Sequence, residues 1–295
     1  MNDIKIVAIG EFLWDCLPNG KKIGGAAANF CYHAKSAGAN AILVSAIGDD
    51  DNGRELREQI EKLQIPQQIQ ISANYPTGTV LVKLDSAGKP TYDIVNPVAW
   101  DDIQLTDQLL ELIQQDDLDA IYFGSLIQRN IHNHELLQKI VNHRSQRSKI
   151  IVDINLRQND YNNATLLLCI EHANILKLND EELPIVADLL KIKADPQALF
   201  NYLNEHYQLE LLIYTCGSEG SHLITKNEQN HCPAEKITPI DTVGAGDSFM
   251  AISSVLYLKG KQLQEINSKA NHIAAYVCTQ SGPMPIIPQT YLTEL

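Results

Sequence analysis

Residues 241–250, Asp-Thr-Val-Gly-Ala-Gly-Asp-Ser-Phe-Met, place two glycines and an aspartate where a loop passes into an apolar-patterned helix. Glycine adopts backbone angles that are closed to other residues, so Gly244 and Gly246 allow consecutive N–H groups to converge on one anion. The positive end of the helix dipole favours an anion at the same place. Asp247 adds a carboxylate that can take a proton from an attacking hydroxyl. The segment therefore predicts either phosphoryl transfer to an alcohol or an ordinary capped helix N-terminus.

Two better-known phosphate-binding loops do not fit this segment. A Walker A loop would end in Gly-Lys followed by Ser or Thr, and no such ending is present there. The Gly-x-Gly-x-x-Gly loop of dinucleotide-binding folds fails because the sixth position counted from Gly244 is Phe249. After the first apolar run, where a dinucleotide loop should lie, Gly10 is followed by no second glycine in place. A nucleotide-dependent oxidoreductase is therefore disfavoured.

The chain of 295 residues is 44% hydrophobic, enough to bury the core of one large α/β domain, or of a domain with an accessory piece. Its formal net charge of -13 provides no basic surface, so neither a nucleic acid nor an anionic membrane is an expected partner. The 6 cysteines form no Cys-x-x-Cys pair, which is typical of reduced thiols in a cytosolic protein. There is no signal-peptide pattern and no membrane-length apolar run, so a soluble, cytoplasmic protein is expected.

Short apolar runs alternate with helical patterns along the chain, and this alternation predicts a mostly parallel sheet covered by helices. Polar or glycine residues follow each run, beginning with Gly10 and Glu11. Ligands of open α/β sheets bind at the carboxyl ends of the strands, so these positions are expected to line one crevice. The glutamines near 67–70 are expected at the surface. The predicted strands span residues 4–9, 41–47, 120–123, 150–154, 175–178 and 211–215.

Two segments interrupt the alternation and have the pattern of β-hairpins. Residues 11–23 contain a turn at Pro18-Asn19-Gly20, and residues 77–95 contain one at Ser86-Ala87-Gly88. Strand pairs without a core of their own need a surface to cover. The two expectations are lid strands over the crevice, inserted at about residues 11–24 and 77–97, or a homodimer contact.

A second glycine segment, Ile23-Gly-Gly-Ala-Ala-Ala-Asn29, precedes a helical pattern and then residues 44–49, Val-Ser-Ala-Ile-Gly-Asp. Together with residues 241–249, these segments resemble the two signatures of the ribokinase family of sugar kinases, also called PfkB carbohydrate kinases. The resemblance implies a ribokinase-like three-layer α/β/α fold with a mostly parallel central sheet and a small β-strand lid, in one kinase domain over residues 1–295. Three further motifs follow in the family's order: Asp-x-Asn-x-Arg at 153–157, Asn-x-x-Glu at 179–182 and Thr-x-Gly-x-x-Gly at 215–220.

The resemblance implies that Asp247 is the catalytic base for the sugar hydroxyl and that the amides of Gly244, Ala245 and Gly246 form the anion hole for the transferred phosphoryl group. Phosphoryl transfer relies on positioning and charge stabilisation, which such a loop provides. By similarity, Arg157 contacts the terminal phosphates of ATP, because its planar donors match phosphate oxygens. A solvated surface arginine is the alternative.

The family's Asn-x-x-Glu element is matched by Asn179 and Glu182, which would hold water molecules around Mg²⁺. The alternative is that Asn179 caps a helix and that the acidic residues after it interact with the helix dipole, and the two roles are compatible. The resemblance also implies that ATP binds against Thr215, Gly217, Gly220 and Asn271. Asn271 is expected at the start of the last helix.

On the sugar side, the resemblance points to Asp15, Gly25 and Asn29. A carboxylate and an amide bind adjacent hydroxyls, and bare glycine backbone lets a sugar ring approach closely. The alternative role of Asp15 is to introduce the turn at Pro18. The stretch Gly-Glu-Phe-Leu-Trp-Asp over residues 10–15 is closest in appearance to the fructokinase branch.

Three features bear on the substrate and on ions. Ala27 stands where many fructokinase-like relatives have proline, which puts the substrate preference in question. Lys21 and Lys22 precede the glycine pair and have the reach to meet a sugar phosphate, but exposed lysines are usually solvated, so a neutral sugar is favoured. Family members often bind a monovalent cation such as K⁺ near the anion loop, where Asp241 and residues 279–282 would supply oxygens.

The expected function is an ATP- and Mg²⁺-dependent sugar kinase with fructose as the leading substrate. Ribose, a ketose phosphate, a 2-keto-3-deoxy sugar acid and a nucleoside are the alternative substrates. A catalytically silent, ligand-sensing protein on the same fold is the alternative from another class, because fold does not determine function. Such a protein is expected to have lost the base, an anion-hole glycine or a metal-site acid, and this chain has all of them.

Overall fold

The computed structural model describes residues 3–17, 20–84, 90–157 and 160–292. It contains two β-sheets, with helices on both faces of the larger one. The strands are, in chain order, β1 (Ile4–Ile9), β2 (Leu13–Leu17), β3 (Gly20–Gly24), β4 (Ala39–Gly48), β5 (Gln67–Ser72), β6 (Gly78–Leu84), β7 (Pro90–Ile94), β8 (Ala120–Gly124), β9 (Lys149–Asp153), β10 (Ile175–Asn179), β11 (Leu211–Thr215), β12 (Ser221–Ile224) and β13 (Gln229–Cys232).

The large sheet has nine strands in the order β13-β12-β11-β10-β9-β8-β1-β4-β5. The strands from β11 to β5 in that order are parallel, and β12 and β13 are antiparallel to their neighbours. Every strand predicted from an apolar run is present, with bounds within about two residues of the prediction, as is usual for strand ends. The mostly parallel sheet is therefore confirmed.

The sequence pattern does not predict two parts of this sheet. The glutamines at 67–70, expected at the surface, belong to β5, which pairs with β4 at one edge. Their side chains are largely half-buried, because an edge strand has a neighbour on one side only. At the other edge, β12 and β13 form an antiparallel hairpin whose short, polar strands contain no apolar run.

Five of the described helices, α2, α3, α4, α5 and α7, begin at a side-chain cap, as at α2, where Asp50 Oδ1 accepts the N–H of Gly53 at 2.7 Å. No helix in the described ranges is both long and apolar enough to cross a lipid bilayer. The helices are α1 (Ala26–Ser36), α2 (Asp51–Lys62), α3 (Asp107–Ile113), α4 (Ile131–His143), α5 (Asn163–His172), α6 (Glu182–Leu190), α7 (Pro196–Tyr207), α8 (Ala245–Leu258), α9 (Leu263–Cys278) and α10 (Gln289–Leu292).

The helices form two layers because successive side chains of a central strand enter different cores. In β1, Ile6 and Ala8 pack in the core that contains α1, α2, α8 and α9. Val7 and Ile9 pack in the core that contains α3 to α7. These four side chains are fully buried. The predicted three-layer α/β/α arrangement is therefore confirmed.

The small sheet has four strands in the order β3-β2-β6-β7. It forms from the two segments that interrupt the alternation: β2 pairs antiparallel with β3 and parallel with β6, which pairs antiparallel with β7. The turn residues Pro18, Asn19 and 86–88 lie outside the described residues. Trp14 joins this sheet to α2, because its Nε1 donates to the carbonyl oxygen of Asn52 at 3.0 Å.

Candidate active site

A cavity of about 380 Å³ lies between the carboxyl edge of the large sheet, the small sheet and the start of α8. The crevice predicted at the strand ends is therefore present, and the small sheet contributes to its wall. The lining residues are Glu11, Leu13, Asp15, Gly25, Ala26, Asn29, Val80, Ile94, Leu126, Asn155, Arg157, Lys177, Thr242, Val243, Gly244, Gly246 and Asp247.

The backbone at the start of α8 has the geometry of an anion site. Gly244 precedes the helix with φ 82°, and a Cβ there would lie 2.5 Å from Pro283 Cβ, so only glycine fits. No acceptor among the described residues takes the N–H groups of Gly246 and Asp247. Free amides in the first turn and the positive end of the helix dipole favour an anion in the adjoining cavity.

Two details of this loop differ from the prediction. Gly246 has helical backbone rather than unusual angles, because α8 already begins at Ala245. A Cβ on Gly246 would make an ordinary contact with Lys177 Nζ at 3.5 Å, so neither the backbone conformation nor the packing requires glycine here. The amide of Ala245 donates to the carbonyl oxygen of Thr242 at 3.3 Å and is thus partly used within the loop.

Asp247 lies in the first turn of α8 and faces Asn29 of α1, so the predicted base and a predicted sugar ligand are in contact. Asn29 Nδ2 donates to Asp247 Oδ2 at 2.7 Å. Burial raises the pKa of Asp247, the charge of Asp153 raises it further, and the hydrogen bond from Asn29 lowers it. A buried carboxylate held by one amide has the orientation and the proton affinity that a general base needs.

Lys177 and Asp153 form an ion pair beneath the loop. This ion pair was not predicted from the sequence. Lys177 Nζ lies 2.9 and 3.0 Å from the two carboxylate oxygens, and the side chains are 6% and 1% exposed. Burial lowers the pKa of Lys177, but the charges of Asp153 and Glu182 outweigh it, so that pKa is raised overall. The sequence contains one indication of this pair, because Lys177 interrupts the apolar run of β10. A lysine buried in such a strand needs a partner of opposite charge.

Glu11 was expected to line the crevice but was assigned no chemical role. It follows β1, lines the cavity and is 2% exposed, and its Oε1 has no hydrogen-bond partner among the described residues. Burial raises the pKa of Glu11 to about 7, and the charge of Asp247 contributes in the same direction. Its position after the first strand predicted this placement, which the cavity lining confirms.

Replacement of Glu11 by glutamine is expected to stabilise the protein by about 2–3 kcal/mol at about pH 8. The pKa of Glu11 rises from 4.5 to about 7 on folding, so the folded state binds this proton more tightly than the unfolded state. The wild-type residue therefore costs stability as pH rises from about 4.5 through 7, and the advantage of the variant shrinks as pH falls. Urea unfolding at about pH 5 and pH 8 measures the difference.

Glu58→Gln is the matched control, because Glu58 is exposed on α2 and its replacement should change stability by less than about 0.5 kcal/mol. Equal stability of Glu11→Gln and wild type at the higher pH would show that Glu11 does not hold a costly buried charge.

The residues predicted to bind sugar, Asp15, Gly25 and Asn29, all line the cavity. Burial raises the pKa of Asp15 to about 6, and the charge of Asp247 adds to this effect. Gly25 has φ 104°, and a Cβ there would lie 2.2 Å from the carbonyl oxygen of Glu11. Glycine at this position thus lets the start of α1 pack against the end of β1.

Arg157 also lines the cavity, with an exposed side chain whose Nη1 donates to the carbonyl oxygen of Leu156 at 3.2 Å. Asn155 lies two residues earlier and lines the cavity with φ 41°, a left-handed conformation that is uncommon outside glycine. Such conformations concentrate at functional sites. The sequence-based site omits Asn155, although it is the middle residue of the Asp-x-Asn-x-Arg motif.

Asn179 and Glu182 cap each other. Asn179 Oδ1 accepts the N–H groups of Glu181 and Glu182 at 3.0 and 2.9 Å, which confirms the capping role. Glu182 Oε2 accepts the N–H of Asn179 at 2.9 Å, and its Oε1 accepts that of Leu156 at 2.8 Å. Burial raises the pKa of Glu182. This carboxylate therefore ties the ends of β9 and β10 together.

The predicted nucleotide loop follows β11. Thr215 ends this strand and pairs in register with Asn179. Gly217 has φ 50°, and Gly220 has φ 97° with room for no Cβ, since one would lie 2.1 Å from the carbonyl oxygen of Cys232. These residues adjoin the Asn-x-x-Glu element and lie outside the lining of the cavity.

Asn271 does not open the last helix, so this placement was wrong. It lies in the second half of α9, which begins at Leu263. Its Nδ2 donates to Ser221 Oγ at 2.7 Å and to the carbonyl oxygen of Asn267 at 2.9 Å. Asn271 thus fastens α9 to β12, and the apolar spacing that begins upstream of it sets the start of the helix.

Comparisons with known proteins agree with this geometry. A fructokinase from Salmonella typhimurium is 28% identical over 303 residues, which cover 96% of each chain. Aminoimidazole riboside kinase from Salmonella typhimurium is 24% identical over 315 residues, 96% of this chain and 92% of that one. The structure of an uncharacterized sugar kinase from Pyrococcus horikoshii in complex with ATP is 26% identical, covers 95% of this chain and 94% of that one, and has a TM-score of 0.79.

The family model for the pfkB family carbohydrate kinase matches residues 15–290, which include α8 and all of the cavity lining except Glu11 and Leu13. Both glycine segments that carry the resemblance in the sequence fall within this match. The chain belongs to the pfkB family of carbohydrate kinases.

Proposed function

We propose that this protein uses ATP to phosphorylate a hydroxyl group of a small neutral sugar, with fructose as the first candidate. The placement of Asp247 carries the proposal: its carboxylate lies in the cavity, beside free amides of a helix N-terminus and in contact with Asn29. A base, an anion site and a group that binds hydroxyls are therefore available together. Fructose leads because fructokinases are among the relatives that match over most of the chain.

In the proposed reaction, the carboxylate of Asp247 accepts the proton of the sugar hydroxyl. The sugar oxygen attacks the γ-phosphorus of ATP, the bond from that phosphorus to the bridging oxygen breaks, and ADP leaves. The amides at the start of α8 donate to the oxygens on which negative charge develops. Asn29 holds the base in place, and Arg157 binds the terminal phosphates with its planar donors.

Mg²⁺ would be held through water by Glu182 of the Asn-x-x-Glu element, with Asn179 positioning this residue, and would neutralise charge on the phosphates of ATP. Each oxygen of Glu182 already accepts one backbone N–H, and the residue is 4% exposed, so it offers no bare ligand for direct coordination. Each oxygen keeps a second lone pair that can accept a proton of a metal-bound water. Glu182 therefore fits a hydrated ion whose remaining ligands are phosphate oxygens, whereas both lone pairs of Asn179 Oδ1 already accept the N–H groups of Glu181 and Glu182.

The charge of the cavity favours a sugar that has no phosphate or carboxylate of its own. Three acidic residues line it: Glu11, Asp15 and Asp247. Like charges in one site repel a second anion. The acidic wall therefore argues against a ketose phosphate and a 2-keto-3-deoxy sugar acid.

The basic residues near the cavity do not offset this acidity. Lys177 is already paired with Asp153, and Arg157 is the cation proposed for ATP. Lys21 and Lys22 do not line the cavity, because their ammonium groups lie on other carboxylates. No described lysine or arginine of the lining is thus left for a phosphate on the sugar.

Purified protein with ATP and Mg²⁺ should release ADP in the presence of fructose in a coupled assay. The panel comprises fructose, ribose, fructose 6-phosphate, a 2-keto-3-deoxy sugar acid and a nucleoside. We expect kcat/KM for fructose to exceed that for its phosphate by at least about 10²-fold, because a like-charge contact costs several kcal/mol.

The panel also separates the alternatives. A preference for the nucleoside would assign the substrate class of the aminoimidazole riboside kinase relative instead of fructose. Sugar binding by calorimetry without ADP release from any compound would indicate the ligand-sensing protein and contradict the kinase.

A further inference from the structure

Lys22 bridges the small sheet and the loops around the anion site. It lies on β3, and its Nζ donates to Ser281 Oγ at 2.7 Å and lies 3.5 Å from Asp241 Oδ2. Its methylene groups pack on Gly282, where a Cβ would lie 3.0 Å from Lys22 Cδ. The contacts join residues more than two hundred positions apart along the chain. They form only when β3 packs against the loops that contain Asp241 and Ser281.

Asp241, the partner of this ammonium, connects the two loops that form the anion site. Its Oδ1 accepts the N–H of Val243 at 3.1 Å, and its Oδ2 accepts the N–H of Gly282 at 3.1 Å. Pro283, which follows, packs directly on Gly244. The negative charge of Asp241 therefore sits where it influences both the shape and the potential of the anion site.

The side-chain oxygens expected to bind a monovalent cation already have hydrogen-bond or ion-pair partners. Both oxygens of Asp241 accept backbone N–H groups, and Ser281 Oγ accepts from Lys22. Thr279 Oγ1 donates to the carbonyl oxygen of Tyr276 at 2.7 Å. An ammonium group also neutralises Asp241. The side chains that would hold K⁺ therefore already have partners, and the Lys22 ammonium already supplies the positive charge that the ion would bring to Asp241.

We propose that Lys22 supplies, from within the chain, the positive charge beside the anion loop, and that the protein therefore works without a monovalent cation. The proposal rests on the kinase function proposed above. The neighbouring Lys21 provides the contrast: its Nζ contacts Asn52 Oδ1 at 2.9 Å and Glu55, and it lies 4.6 Å from the centre of the Trp14 ring. Lys21 thus contacts α2, whereas Lys22 contacts the loops of the anion site.

The first test compares ADP release in potassium, ammonium, sodium and choline chloride at one ionic strength of about 0.1 M, which holds general screening constant. Wild-type turnover is expected to differ by less than about twofold among these salts, and Lys21→Met should behave in the same way. Lys22→Met should lose roughly tenfold in choline chloride, because Asp241 then faces the developing phosphate charge uncompensated. Potassium or ammonium ions should restore most of this loss.

The second test needs no catalysis. The thermal midpoint of unfolding of the protein without ATP or sugar is measured in the same salts. Lys22→Met should gain about 2 °C or more in potassium chloride relative to choline chloride, because the vacated site then binds the ion. Wild type and Lys21→Met should show no such difference.

Wild-type turnover that depends on potassium would overturn the proposal without any variant, so a variant that fails to fold does not leave it undecided. It would also be overturned by a Lys22→Met protein whose turnover and thermal midpoint are the same in all four salts, or whose lost activity no cation restores. If no protein releases ADP with any sugar, the kinase assignment fails, whereas the thermal series still decides the role of Lys22.

Discussion

Replacement of Asp247 by asparagine is expected to lower kcat roughly 10²- to 10⁴-fold while ATP still binds. Asparagine keeps the shape of the side chain and a hydrogen-bonding oxygen for Asn29, which donates to Asp247 Oδ2 at 2.7 Å. It cannot accept a proton from the sugar hydroxyl. Turnover is measured by ADP release and ATP binding by calorimetry.

The pH profile adds a second observable for Asp247. Burial and the charge of Asp153 raise its pKa, so the carboxylate becomes protonated, and wild-type kcat falls, at a higher pH than for an ordinary aspartate. Activity should be full above this raised pKa and lost below it. Asp247→Asn should lack this acid limb, because it has no group to titrate at that position.

The matched control is Asp49→Asn. Asp49 also follows a parallel strand of the large sheet, but its side chain is 77% exposed and lies outside the cavity. Its replacement should leave kcat within about twofold of wild type, as for most surface changes. Turnover near the wild-type value in Asp247→Asn would refute the role of Asp247 as the base.

The part of the site that the sequence predicts lies in short segments whose geometry depends on nearby residues. Gly244 and Asp247 are three positions apart at one helix start, and Gly25 and Asn29 are four apart at another. Residue type and spacing at a helix N-terminus determine where backbone N–H groups and first-turn side chains lie. These positions therefore follow from the sequence without knowledge of the sheet order.

Lys177 and Asp153 could not be predicted in this way. They are register partners on the adjacent parallel strands β9 and β10. This register depends on α5, the connecting segment and both cores, so it cannot be predicted from the spacing of residues within either strand. Gly246 shows a different limit: its backbone is helical and a Cβ there would make only ordinary contact with Lys177, so the conformational reason expected for this glycine does not hold.

The buried carboxylates of the site lower the stability of the folded protein. Glu11 and Asp153 are nearly inaccessible to solvent, Asp247 is half-buried, and Glu11 Oε1 has no partner among the described residues. Buried charge lowers stability unless it is paired. Burial raises the pKa of Glu11 and of Asp247, whereas Asp153 has the ammonium of Lys177. Lys177 is therefore the residue that makes this density of carboxylates compatible with a folded sheet.

Replacement of Lys177 by methionine should lower the free energy of unfolding by about 3–5 kcal/mol at neutral pH, because it leaves the charge of Asp153 buried and unpaired. Asp153 is fully buried, and Lys177 Nζ is 2.9 and 3.0 Å from its oxygens. Urea unfolding at pH 7 measures the loss.

Two further proteins separate the ion pair from a simple loss of packing. Lys149→Met removes a lysine from β9, where Lys149 Nζ lies 2.6 Å from Glu210 and both side chains are about one-third exposed. An exposed pair of this kind contributes less than about 1 kcal/mol, so its loss should be small. The double replacement Lys177→Met and Asp153→Leu should recover most of the stability, since an apolar pair avoids the buried charge. If the double variant is as unstable as Lys177→Met alone, packing and not the unpaired carboxylate is the source of the loss.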